Sequence, residues 1–202
     1  MDSRSVTLVA VFAALAMGLN AIRIPAILWP GLAYPLWEIP IFISCLLFGF
    51  KIAIMVGVIN LAGQLAFFQI GPGSIVGYPV GFLALLVTLS GMYVAIIFIN
   101  HKASLEKPLS SKKTITLLTG LTTVFRAGIM PFIDYAIFYG ILLPLVGIPI
   151  PEASRVALIP AFILFNIMVP LYAIPIAYLS QQRLQIYKTK QSEKQIIPSN
   201  PL

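Results

Sequence analysis

Six stretches of this sequence are too apolar to be solvated by water along their length. They run over 5–22, 39–50, 51–69, 78–99, 114–143 and 153–181, with polar or Pro/Gly-rich breaks between them. A helix crosses the bilayer core with roughly 20 apolar residues, and it is the one single-segment structure that satisfies all of its own backbone groups in lipid. The expected fold is therefore an all-α integral membrane protein, a bundle of six transmembrane helices in the cell membrane. Composition supports this: charged residues make up 9% of the chain, against about 25% in soluble domains. The second stretch is short, and only "GFK" at 49–51 divides it from the third. A five-span arrangement is the alternative. Arg4 before the apolar run Val6–Ala16 has the look of a signal peptide, but the run continues to Ile22 and is read as a span.

The net charge of +7 would suggest nucleic acid in a soluble protein. Here the basic residues instead sit in short connections. With the N-terminus inside, Arg4, Lys51, Lys102, Lys107, Lys112, Lys113, Arg183, Lys188, Lys190 and Lys194 fall on one side, and Arg23 and Arg155 on the other. Because cytoplasmic loops carry the Lys/Arg excess, both termini are expected in the cytoplasm, and nucleic acid is not an expected partner. Residues 1–185 form the membrane domain; 186–202 read as a polar cytoplasmic tail to which no fold is assigned. The lone Cys45, in an apolar run, is read as a small core residue.

The outer connections differ from the basic inner ones. "RIPAILWPGLAYPLWEIP" at 23–40 carries Pro25, Pro30, Pro35 and Pro40 with Trp29, Tyr34 and Trp37 between them. Proline at this density holds the chain extended rather than helical. Such a segment is either an interfacial loop with its aromatics at headgroup level or a stiff lid over a pocket. "QIGPGSIVGYP" at 69–79 and "LPLVGIPIPEAS" at 143–154 are the other two outer connections.

Polar residues inside the spans carry the functional information. Arg126 and Asp134 lie in one apolar segment, where each costs about 2.5–3.5 kcal/mol on insertion scales. Eight residues apart, they are separated by about 12 Å along a helix and about 80° around it, so each needs a partner elsewhere. Asn60 and Gln64 share a face of the third span, and Asn166 falls near the middle of the sixth. Asp134, Tyr135, Tyr139, Gln64 and Gln69 are expected in the outer half, with Arg126, Asn60 and Asn166 deeper. Trp37 and Glu38 close the first outer loop above them, and Tyr78 ends the second. Two readings stand side by side: polar pairs that hold the bundle together, or one outward-facing ligand site built from Trp37, Glu38, Asn60, Gln64, Tyr78, Arg126, Asp134, Tyr139 and Asn166. On the first span, Ala10, Ala14 and Gly18 recur at i, i+4 and i+8 as a flat stripe that admits close approach of another helix.

Enzyme chemistry finds little here. The one histidine, His101, lies in the basic loop "NHKASLEKPLSSKK", so a membrane-embedded serine nucleophile has no base. No metal-ligand set, cofactor motif or phosphate-binding Gly-rich loop followed by Lys is present in the sequence. A lipid-modifying enzyme using Arg126 and Asp134, and a scaffold or assembly factor whose polar residues fix helix register, are the alternatives to ligand capture.

The order of parts resembles the substrate-binding S components of energy-coupling factor (ECF) transporters. The resemblance rests on "AVFAALAMG" in the first span, the Pro-rich loop ending "EIP", "LLFGFKIAIMVGVIN", "GPGSIVGYPVGFLAL" and a basic loop before two final spans. It runs to about residue 180. Within that superfamily the chain looks most like the riboflavin-specific members, through "GPGSIVGYP", "MPFIDYAIFYGILLP" and Asn166. The resemblance implies a vitamin-capturing subunit, itself hydrolysing nothing, that docks on a transmembrane coupling subunit with two ATPase subunits, and it places that docking surface on Ala10 and Ala14. The chain departs from the riboflavin pattern at Gly81 and Asp134, where such relatives carry Asn, and Arg126 has no match in it.

Overall fold

The computed structural model describes residues 2–196 apart from 23, 27–28, 69–71, 106–110, 146 and 148–150. Of the residues singled out above, Arg23, Gln69 and Lys107 lie outside the described residues. Six helical rods make up the bundle: α1 (Ser3–Asn20), α2 (Glu38–Phe48), α3 (Phe50–Phe67), α4 (Pro72–Leu105), a long rod beginning as α5 (Ser111–Ile133), and α7 (Glu152–Ile196). The long rod continues as a π-helix over Asp134–Leu142 and ends in the short turn α6 (Leu143–Leu145). Five of the six are long and apolar enough to cross a membrane. The protein is a multi-pass integral membrane protein.

The exception is α2. It has 11 residues, about 16 Å at the α-helical rise, half of what a bilayer core requires. Six helices are present, as expected, but the second does not span on its own. Its end is set by Gly49, whose φ of 90° lies in the left-handed region where a side chain is strained. The helix therefore stops at Phe48 and restarts at Phe50, one residue inside the "GFK" boundary. The last helix also exceeds expectation, because the polar residues after 185 continue it to Ile196.

The proline-rich connection is extended, as its sequence requires, but it folds back on itself. Ile24–Ala26 (β1) and Trp29–Tyr34 (β2) pair antiparallel, Ile24 opposite Tyr34 and Pro25 opposite Ala33, with an irregularity between Pro25 and Ala26. A lone two-stranded hairpin is marginal in water. Here Tyr34 fixes it to the bundle, stacking on Phe165 of α7 at 5.8 Å with 13° between planes and meeting Tyr172 edge-on at 5.8 Å.

Beneath the hairpin, α2 lies against α7 and α3. Ile41, Phe42 and Cys45 are buried there with Ile174 of α7 and with Ala173 and Ala177, whose small side chains let α2 approach. At the α4–α5 contact, a Cβ on Gly91 would sit 2.9 Å from Phe125 Cβ and 3.3 Å from the Thr122 backbone, so only glycine allows this spacing. Outward-facing positions are apolar all round the bundle, among them Phe67, Val124 and Phe132, as a lipid-facing surface requires.

Candidate functional site

A cavity of about 300 Å³ lies at one end of the bundle, between the hairpin, the end of α1, the start of α2, the end of α3, the start of α4, the α5 rod and α7. That size is at the lower end of the range for small-molecule sites. Aromatic side chains form much of its wall: Tyr34, Trp37, Phe68, Tyr78, Phe162 and Phe165. Arg4, Lys51, His101, Lys112 and Lys113 all belong to the opposite end, at the starts of α1, α3 and α5 and the end of α4. The cavity is thus at the end of the bundle away from these basic residues.

The floor of the cavity is an ionic network. Arg126 of α5 is 2% exposed and Glu38, the first residue of α2, is 1% exposed. They form a forked pair, Arg126 Nη1 donating to Glu38 Oε2 at 2.6 Å and Nη2 to Oε1 at 3.2 Å. This two-pronged geometry is the strong form of a guanidinium–carboxylate contact. Nη1 also donates to Thr88 Oγ1 of α4 at 2.9 Å, and Nε to Asn166 Oδ1 of α7 at 3.1 Å. Four helices thus meet at one guanidinium.

Asn166 extends the network. Its Nδ2 donates to Asp134 Oδ2 at 3.2 Å and to the carbonyl of Phe162, one turn back, at 3.0 Å. The two charges on the α5 rod do not pair with each other: Arg126 takes its carboxylate from α2, and Asn166 bridges the remaining distance to Asp134. Asp134 is the first residue of the π-helix. Upstream, Pro131 has no amide hydrogen for the carbonyl four residues earlier, which breaks the regular α ladder just before the wider turns begin. Such π segments recur at functional sites.

A second polar cluster joins α1 to α3. Asn20 Nδ2 donates to Asn60 Oδ1, and Gln64 Nε2 to Asn20 Oδ1, both at 2.7 Å. Gln64 and Asn20 reach the cavity wall, whereas Asn60 is fully buried behind them. Of the nine residues singled out from the sequence, Trp37, Glu38, Gln64, Tyr78, Arg126, Asp134 and Asn166 border the cavity. Asn60 and Tyr139 do not. Tyr139 packs against Phe162, ring centres 5.2 Å apart. Sequence reasoning passed over Asn20 and Thr88. Asn20 is separated from Asn60 by 40 residues, and its position at the end of the first apolar run, level with the ends of the other outer segments, was the available signal. Tyr78 donates its hydroxyl to the Phe68 carbonyl at the end of α3. Gly81 faces Trp37: a Cβ there would lie 3.7 Å from Trp37 Cζ2, an ordinary contact.

The small-residue stripe of α1 is on the outside of the bundle. Val9, Ala13 and Ala16 turn into the bundle, while Ala10, Ala14 and Gly18 are exposed, and a Cβ on Gly18 would meet nothing within 4 Å. Close packing of this stripe on the protein's own helices is therefore not seen among the described residues.

No family model matches the sequence, and no curated protein matches it. Among solved structures, the chain is similar to one described as the S component of a bacterial ECF transporter, with a TM-score of 0.71 over 93% of this chain and 98% of that one, at 21% identity. The fold is that of an S component. Within the S-component fold, the half-length α2 and the hairpin enclose the cavity, and the exposed α1 stripe runs along the flank of the same bundle.

Proposed function

We propose that this chain is the substrate-capturing subunit of an ECF-type vitamin importer. It binds its solute from the outer side and docks on a transmembrane coupling subunit that carries two ATPases. The observation that carries this reading is the roofed cavity at the end of the bundle away from Arg4, Lys51, His101, Lys112 and Lys113, set in a fold shared with an S component. The exposed stripe Ala10, Ala14 and Gly18 supports docking by a helix of the coupling subunit, since small residues let backbones approach closely in lipid. Both termini are then cytoplasmic, and the chain performs no covalent chemistry of its own. The resemblance makes riboflavin the first ligand to test.

A scaffold held by polar pairs is the competing reading, and the pairing of Arg126 with Glu38 favours it. It leaves unexplained why an aromatic cavity adjoins that pair. The deciding experiment is purification of the full chain followed by absorption and mass spectrometry of the released small molecules. A stoichiometric heterocycle that raises the melting temperature on re-addition is the expected result, because binding to the folded state stabilises it. Protein that carries no solute and is stabilised by no member of a vitamin panel belongs to the scaffold reading.

A further inference from the structure

The polar atoms of the cavity differ in what they leave unsatisfied, and the difference is one of charge. The charged side chains among its described lining residues are Glu38, Arg126 and Asp134. Glu38 spends both oxygens on Arg126, which compensates those two charges within the wall. Asp134 is 7% exposed and receives one hydrogen bond, from Asn166 to Oδ2; Oδ1 has no partner among the described residues. Gln64 leaves an acceptor too, because its Nε2 is committed to Asn20. One N–H on Arg126 Nη2 is likewise unassigned, so donors are not absent, but the uncompensated charge of the cavity is a single negative one.

A buried, unpaired carboxylate is expensive; a proton relieves that cost, and so does a cationic ligand, which also keeps the carboxylate charged. A hydrated inorganic ion does not suit the site. Such ions take six or more oxygen ligands, and no group of three or more metal-ligating side chains occurs among the described residues. The wall is instead rich in π faces, which attract organic cations.

We infer that the ligand is an organic cation with a planar aromatic part, its positive nitrogen received by Asp134 Oδ1 and its ring held between the cavity's aromatic side chains. This rests on the solute-capture reading and specifies the chemistry of that same site. Arg126 is then a positioning residue: it holds Asn166, which orients Asp134.

The test uses the full chain in detergent, freed of co-purified material, and three compounds built on one pyridine ring: 1-methylnicotinamide (cation), nicotinamide (neutral) and nicotinate (anion). Thiamine and riboflavin serve as larger cationic and neutral probes. At least one cation is expected to raise the melting temperature and to bind tenfold or more tighter than the neutral probe of its size. Asp134→Asn, which keeps an acceptor for Asn166, is expected to erase that preference while the ligand-free melting temperature moves by only a few degrees. Should Asp134→Asn fail to fold, the charge preference of the wild-type chain decides alone. Equal or tighter binding of the neutral or anionic probes, a preference that survives in Asp134→Asn, or no response to either cation overturns the inference. Riboflavin binding without any response to the cations would do so while leaving the solute-capture reading standing.

Discussion

Two polar clusters sit side by side under the same hairpin. The cluster around Arg126 ties α2, α4, α5 and α7 together with full charges; the one around Asn20 ties α1 to α3 with neutral amides. In sequence both announce themselves in the same way, as polar residues in apolar segments. Their energetics differ. A neutral amide pair in a membrane protein contributes about 0.6 kcal/mol on average, because the amides also find partners in the unfolded, membrane-inserted chain. A buried ion pair contributes little over an apolar replacement, yet loss of one partner strands a charge. The ionic cluster is therefore fragile to single changes, and the amide cluster is tolerant.

The largest effect should come from Arg126→Met, which leaves Glu38 buried without its counter-charge. A loss of about 3–5 kcal/mol in unfolding free energy is expected, as for other broken buried pairs. Adding Glu38→Leu should restore most of it, by denaturant titration in detergent. A double variant no more stable than the single one would show that the guanidinium is needed for more than charge compensation. In the amide cluster, Asn60→Leu should cost at most about 1.7 kcal/mol, with ligand affinity within threefold of the parent by calorimetry. Its Nδ2 has no partner among the described residues, so part of what the substitution removes is an unsatisfied donor. A collapse comparable to Arg126→Met would erase the distinction between the two clusters. The smallest effect on the isolated protein belongs to Ala14→Trp, outside both clusters on the exposed face of α1. Melting temperature should hardly move and ligand affinity should stay within threefold, under about 1 kcal/mol, while uptake in cells is lost. Unchanged uptake would remove the docking role of the stripe.

Much of the fold could be read from the chain because lipid leaves few options: an apolar run must become a helix or part of a closed barrel. All six helices were legible on that ground. The second reads as short, at 39–50, but with only "GFK" between it and the third, the left-handed turn at Gly49 that separates two helices there was not visible in the sequence. At the site, the need of Arg126 for a distant partner followed from its cost in lipid. The identity of that partner did not, because Glu38 is 88 residues away and lay at the edge of a loop. Tyr139 was placed by depth alone, and depth does not say which face of the rod a side chain is on; its ring lies against Phe162. Asn60 was placed at the right depth and on the right helix, but behind the wall rather than in it, a distinction of one side-chain layer that periodicity does not resolve.

The strap between the hairpin and α2 has a consequence for timing. Only Pro35, Leu36 and Trp37 separate Tyr34, which is fastened to α7 through its ring, from Glu38, which is fastened to α5 through its charge. The roof is thus tethered at both ends of a three-residue span, one end releasable at the modest cost of an aromatic contact and the other only by separating buried charges. On the solute-capture reading the hairpin is therefore the part of the roof that costs least to open, and removing the Tyr34–Phe165 contact is expected to shorten the dwell time of a bound solute.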